Sequence, residues 1–122
     1  MTATGFAPSL AFICSTESSS RRVDMANSAR NWSLSAGISA IVRPEKLDEA
    51  LITRYLDCKV AGLMIPHVDD AATARRIVDA VRYALPSDHE NIVVIAMLES
   101  AQAVENLDEI LAVDGIDLFF IA

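Results

Sequence analysis

Five short apolar runs, separated by segments of helical period, constrain what this chain can fold into. The runs are SLAFICS, GISAIVRP, GLMIPHV, NIVVIAMLE and IDLFFIA. Between them, apolar residues recur every three or four positions, which is the spacing of one helix face. Near-continuous apolar strands that alternate with amphipathic helices are typical of a parallel sheet covered by helices. The sequence therefore predicts an α/β fold with an all-parallel sheet and the element order β-α-β-α-β-α-β-α-β.

Two architectures satisfy this alternation. One is a complete five-stranded doubly wound sheet, and the other is part of a (β/α)8 TIM barrel. The chain ends within an apolar run, and a bare final strand would leave an apolar face uncovered. We therefore predict that residues 1–122 form a single domain that is an incomplete TIM-barrel segment, comprising about strands two to six with their intervening helices.

The segment ESAQAVENLDEILAVDG illustrates the helical pattern. Ser100 is the predicted N-cap, and Gly115 is a predicted stop beyond the helix. One continuous helix would place five apolar side chains on its buried face: Ala103, Val104, Leu107, Ile110 and Leu111.

Charge and hydropathy exclude several classes of partner. The net charge is −7 and no run rich in lysine or arginine occurs, which argues against nucleic acid and anionic membranes. No apolar run reaches the roughly 18 residues that a transmembrane helix needs, and the N-terminal segment lacks the basic start of a signal peptide. The sequence predicts a cytoplasmic protein in which Cys14 and Cys58 are free thiols.

Polar residues follow the predicted strands, and right-handed crossovers bring those strand ends to one edge. The residues at these positions are Glu17, Ser18, Arg43, His67, Asp69, Asp70 and Glu99. Five of them have a structural alternative: Glu99 could face a helix dipole, Arg43 could pair with Glu45, His67 could be structural, and the two aspartates could cap the next helix.

A carboxylate and an arginine at one edge also suggest chemistry. A carboxylate such as Glu99 can hold Mg²⁺ or Mn²⁺, which prefer oxygen ligands. The guanidinium of Arg43 can bind a substrate carboxylate in a bidentate manner. Together they suit a 2-oxo acid whose enolate needs electrostatic stabilisation. A single carboxylate, however, does not make a metal site.

The segment VVIAMLESAQAVENLDEILAVDGIDLFFIA resembles the HpcH/HpaI aldolase family, which is related to the citrate lyase β-subunit. Three other segments match earlier strands of that family: GFAPSLAFICSTES, AIVRP and AGLMIPHVDDAATARRIVDAVRY. The resemblance implies a (β/α)8 barrel, commonly hexameric. It also implies a lyase that cleaves or forms carbon–carbon bonds through a pyruvate-type enolate with a divalent metal.

The resemblance also assigns roles to residues. It implies that Glu99 is a metal ligand for Mg²⁺ or Mn²⁺, and that Arg43 binds the oxo acid and its enolate. A second ligand, an aspartate in a P-x-D motif, is expected beyond Ala122. The implied partners are a small 2-oxo acid such as pyruvate, an aldehyde, and further copies of the full-length chain. The 122 residues by themselves are expected to be inactive.

Three departures from the family pattern stand out. Ser18 occupies the position of the family's acid/base histidine, although Glu17 keeps its place, and a serine cannot titrate near neutrality. Met97 replaces a frequent glutamine. The connection LPSDHEN is shorter than the family's loop, which the resemblance associates with the substrate pocket. These departures leave two alternatives open: a degenerate, non-catalytic family member, and an independent five-stranded α/β binding domain.

Overall fold

The computed structural model of this protein describes residues 10–15 and 19–122. The strands are β1 (Leu10–Ser15), β2 (Ser39–Pro44), β3 (Gly62–Ile65), β4 (Val93–Leu98) and β5 (Leu118–Ile121). The helices are α1 (Ser19–Ala36), α2 (Glu49–Asp57), α3 (Ala71–Ala84), α4 (Ala101–Glu105) and α5 (Leu107–Leu111), and a short 3₁₀ helix spans His89–Asn91. The predicted alternation of strands and helices is confirmed.

The strands of the described part form one five-stranded sheet in the order β1-β2-β3-β4-β5. All neighbouring pairs are parallel, with Leu63 opposite Val94 and Ala96 opposite Phe119. A doubly wound sheet reverses its strand order at a switch point, and this sheet does not. Sequential parallel order is that of a (β/α)8 barrel, so the fold is α/β and corresponds to part of such a barrel, with β1 and β5 at the edges of the described sheet.

The sheet buries side chains on both faces, which explains why its strands are nearly continuous in apolar residues. On the helix-covered face, Val94, Ala96 and Leu98 of β4 belong to the main core, which includes buried side chains of α2 and α3. The opposite face, here called the inner face, carries a second cluster. Its buried members are Ile41, Met64, Ile95 and Met97. In a barrel this second face fills the interior.

The helix that follows β4 is divided, contrary to the prediction of one continuous helix. Ser100 is its N-cap, as predicted, but the chain leaves helical geometry at Asn106 between α4 and α5. Ala103 and Ile110 are buried, whereas Val104 is 66% exposed. Leu111 is also exposed. The interruption shifts the phase of the apolar stripe, so five residues do not share one buried face.

Two smaller expectations concern the cysteines and membranes. Cys58 is a buried thiol, as predicted, and burial raises its pKa. The side chain of Cys14 lies outside the described part. Across the described residues, no helix combines the length and the apolar character that crossing a membrane requires.

Gly62 lies where β3 approaches its neighbours most closely. A Cβ there would be 2.5 Å from the carbonyl oxygen of Val93 and 2.6 Å from Cδ1 of Ile41. We expect Gly62→Ala to lower the free energy of unfolding by about 1–3 kcal/mol, the usual cost of overpacking. Urea unfolding measures this change. The control is Gly37→Asn, because Gly37 has open space around it and asparagine tolerates its positive φ of 71°; equal losses in the two variants would contradict the role of close packing.

Candidate active site

The carboxyl-terminal edge of the sheet carries three of the polar residues singled out in the sequence. Arg43 is the penultimate residue of β2, His67 follows β3 by two positions, and Glu99 directly follows β4. Because the strands are parallel and consecutive, all three lie at one edge, with β3 between the strands of Arg43 and Glu99. The positions of Glu17 and Ser18 lie outside the described residues.

The Glu99 carboxylate reaches across to the end of the neighbouring strand. Its Oε2 accepts a hydrogen bond of 3.0 Å from the backbone N–H of His67. The Nδ1 atom of His67 lies 3.3 Å from the same oxygen, and the Glu99 side chain is 20% exposed. The N-cap of α4 is Ser100, whose Oγ accepts from the N–H of Ala103 at 3.1 Å. Glu99 is therefore held by the β3 end and does not serve as the cap of its own helix.

The backbone at His67 adopts an unusual conformation. Its φ is 57°, in the left-handed region that residues with a Cβ seldom occupy. Two hydrogen bonds hold the turn. The N–H of His67 donates to Glu99, and the N–H of the next residue, Val68, donates to the carbonyl of Met97 at 3.1 Å. The imidazole that this turn presents beside Glu99 is 70% exposed.

A network that we call the β3–β4 clamp, made of Asp69, Ser100 and Asn106, joins the loops after the two strands. The hydroxyl of Ser100 donates to Oδ1 of Asp69, and Nδ2 of Asn106 donates to the Asp69 carbonyl at 2.9 Å. The expectation that both aspartates cap α3 is thus confirmed for Asp70 and wrong for Asp69. Asp70 is the cap, accepting from the N–H of Thr73 at 2.7 Å, and hydrogen bonds from Thr73 lower its pKa. Asp69 instead fixes the loop that carries His67.

Sequence reasoning missed Asn106. Asparagine is a poor helix former, so its position in the middle of a helical pattern was the one available signal. The structure explains this position, because the side-chain amide of Asn106 donates a hydrogen bond to the backbone carbonyl of Asp69. The segment from Glu99 to Asn106 is thereby fixed against the β3 loop at both ends.

Arg43 and Met97 both lie on the inner face of the sheet, on two strands that are separated by β3. Ile41 belongs to the inner cluster and Val42 to the main core, so strand alternation directs Arg43 to the inner side. The residue is half-buried. Met97 is buried in the inner cluster, so where many family members are expected to carry glutamine, this surface is apolar.

The short connection between α3 and β4 lies far from these residues. It enters β4 from the amino-terminal edge, where His89 and Glu90 border a cleft with Arg82, Asp114 and Asp117. That is the edge opposite Glu99 in a parallel sheet. Within one copy of the chain, this connection does not line the Glu99 edge, contrary to the pocket role that the resemblance suggested.

The described residues contain no group of three or more histidine, cysteine, aspartate or glutamate side chains arranged to hold a metal ion. Glu99 nevertheless has the properties expected of one ligand of a hard cation. Its carboxylate is partly exposed, and a carboxylate can accept about four interactions. In the described part, the N–H and Nδ1 of His67 both contact the same carboxylate oxygen, Oε2.

Curated relatives share the sequence pattern. A hydroxypyruvate/pyruvate aldolase of Deinococcus radiodurans is 35% identical over 107 residues, covering 69% of this chain and 39% of the relative. A 2-keto-3-deoxy-L-rhamnonate aldolase of Salmonella newport is 34% identical over 104 residues, covering 66% of this chain and 39% of the relative. The chain thus spans about two fifths of the length of these relatives.

Solved structures share the fold. An HpcH/HpaI aldolase from Desulfitobacterium hafniense superposes with a TM-score of 0.75 at 25% identity, covering 93% of this chain and 52% of that one. The citrate synthase SbnG superposes with a TM-score of 0.78 at 25% identity, covering 98% and 53%. The sequence model of the HpcH/HpaI aldolase/citrate lyase family matches residues 14–122. The chain belongs to the HpcH/HpaI aldolase/citrate lyase family.

Proposed function

We propose that the protein carrying this chain is a divalent-metal-dependent lyase, an aldolase that cleaves or forms 4-hydroxy-2-oxo acids through a pyruvate enolate. The observation that carries this proposal is the placement of Glu99: a partly exposed carboxylate at the strand end, held by the N–H of His67. Relatives with aldolase names support the reaction class. The substrates would be a small 2-oxo acid such as pyruvate and an aldehyde.

Glu99 would hold the ion, Mg²⁺ or Mn²⁺, because these ions prefer charged oxygen ligands. A divalent ion at this place supplies Lewis-acid polarisation of a keto oxygen. The resemblance expects a second carboxylate after β5, and the register of the sheet would place it nearby. The N–H of Ala122 donates to the carbonyl of Leu98 at 3.2 Å, so a residue that follows Ala122 would emerge beside Glu99.

Arg43 would bind the carboxylate of the oxo acid and stabilise the negative charge of the enolate. A guanidinium binds a carboxylate with two parallel hydrogen bonds. On the inner face of a barrel it would work in a site from which water is largely excluded, where fixed charges act more strongly.

The remaining parts of the proposal concern the whole protein. We expect residues 1–122 to belong to a single TIM-barrel domain that works as a homo-oligomer in the cytoplasm. Three apolar side chains of β5 are exposed at the sheet edge: Leu118, Phe120 and Ile121.

The test of the function is a cleavage assay. The purified protein is incubated with a 4-hydroxy-2-oxo acid, and pyruvate release is followed with and without added divalent ion after chelator treatment. Release that requires the ion supports the proposal. Cleavage that persists without any divalent ion would contradict the metal-dependent mechanism.

Arg43→Ala tests the second role. We expect kcat to fall by about 10²–10³-fold, the usual cost of losing one charge-stabilising group, while ion affinity stays within about twofold because no ligand is removed. Steady-state kinetics and calorimetric titration give the two values. Arg76→Ala is the control, because Arg76 pairs with Glu49 on the exposed surface of α2 and α3 and belongs to no strand end. A matching loss of ion affinity in Arg43→Ala would contradict the assignment.

Ser18 favours a second candidate, a degenerate member of the family that binds without catalysis, because serine replaces the expected acid/base histidine. The same assay separates the two: a degenerate member binds an oxo acid but releases no pyruvate. The third alternative, a binding domain unrelated to the lyases, is wrong because the chain belongs to the family.

A further inference from the structure

His67 and Glu99 form a contact that neither the sequence pattern nor the proposed function assigns. Nδ1 of His67 faces Oε2 of Glu99 at 3.3 Å. An imidazole nitrogen without a proton and a carboxylate oxygen repel each other through their lone pairs. The contact therefore needs either a hydrogen on Nδ1, which then donates to the carboxylate, or a metal ion between the two atoms.

The distance between the two atoms fits a shared metal ion. A charge-assisted hydrogen bond between nitrogen and oxygen is about 2.7–2.9 Å long, which is shorter than the separation in this contact. Two ligand atoms that each lie about 2.1 Å from one ion are roughly 3.0 Å apart in an octahedral site and roughly 3.4 Å apart in a tetrahedral one. The separation of 3.3 Å falls within that range.

The backbone fixes the position of the imidazole. The left-handed φ of 57° at His67 is costly for a residue with a Cβ. An ion pair would give little in return, because the imidazole is 70% exposed and pairs in water contribute little. The turn persists because the N–H groups of His67 and Val68 are both bonded to the end of β4. The result is a largely exposed imidazole beside a partly exposed carboxylate.

We propose that Nδ1 of His67 is a second protein ligand of the ion held by Glu99, which makes the site a mixed nitrogen–oxygen one. This inference rests on the proposed metal-dependent function. Imidazole ligands suit first-row transition ions, whereas Mg²⁺ is bound almost entirely through oxygen. The site therefore selects an ion such as Mn²⁺ or Co²⁺ over Mg²⁺, and His67 is the residue that sets the preference.

The experiment compares the affinities of the purified protein for Co²⁺ and Mg²⁺, measured by calorimetric titration at one fixed pH. The variant is His67→Asn, because asparagine tolerates the left-handed backbone and keeps the N–H that holds Glu99. The control is His89→Asn, since His89 lies at the opposite edge of the sheet. Circular dichroism establishes that both variants are folded.

We expect His67→Asn to weaken Co²⁺ binding by about 100-fold or more, beyond what loss of an outer-shell partner usually costs, and to leave Mg²⁺ affinity within about twofold, whereas His89→Asn changes neither. The visible absorption of bound Co²⁺ should also shift in His67→Asn, because a nitrogen ligand has been lost. An unchanged ratio of Co²⁺ to Mg²⁺ affinities would overturn the inference.

Glu99→Gln distinguishes failure of this inference from failure of the proposed function. If Glu99→Gln abolishes ion binding while His67→Asn leaves the Co²⁺/Mg²⁺ ratio unchanged, the Glu99 site stands and His67 is not a ligand. If Glu99→Gln leaves the affinities for both ions unchanged, the metal site of the proposed function is wrong, and the role of His67 falls with it.

Discussion

We expect Glu99→Gln to abolish the proposed metal-dependent cleavage and to lower ion affinity by more than the roughly 100-fold that loss of a supporting residue can cost. The neutral amide keeps the shape of the side chain but loses the charge that a hard cation requires. The N–H of His67 can still donate to the amide oxygen, so the loop after β3 should keep its position. Calorimetric titration gives the affinity, and pyruvate release gives the rate.

The matched control is Glu105→Gln. Glu105 is an exposed residue at the end of α4, six positions beyond Glu99, so the same chemical change occurs on the same segment away from the strand end. It should leave ion affinity and turnover unchanged. If the two variants lose equal amounts of ion binding, a general loss of negative charge explains the effect. If Glu99→Gln binds as tightly as the unmodified protein, the assignment of Glu99 as a ligand is wrong.

The position of Glu99 was predictable because it depends on two strong signals. The run NIVVIAML is too apolar to be anything but a buried element, and the helical period resumes only after Ser100. The parallel order of the sheet then follows from the alternation of strands and helices.

The contacts around Glu99 were not predictable from local pattern. The clamp joins residues that are far apart in the chain: Asp69 lies 31 positions before Ser100 and 37 before Asn106. Local sequence makes Asp69 and Asp70 equivalent as caps, and only the folded geometry assigns one to α3 and the other to Ser100. The same holds for His67, whose left-handed backbone is fixed by bonds to β4. Helix propensity does not depend on these long-range partners, so the sequence pattern predicted one unbroken helix after β4.

Ser18→His is the second large effect that we expect. The resemblance places the acid/base histidine of the family at this position, directly after Glu17. If the protein is slow only because it lacks this group, an imidazole should raise kcat by about 10²-fold or more, the usual contribution of a well-placed general acid–base. The rate of pyruvate release at saturating substrate and ion measures the change. The pH profile of kcat should also gain the titration of the new imidazole.

Ser19→His is the control, because it carries the same imidazole one residue later, at the first position of α1. A gain confined to Ser18→His means that geometry, and not an added base in the neighbourhood, restores proton transfer. If the unmodified protein is already fast and Ser18→His slows it, another group or a water molecule already moves the proton, and the larger side chain obstructs it. If both variants stay inactive while Glu99 still binds the ion, the missing histidine is not the only defect, and the protein is a binding member of an aldolase family.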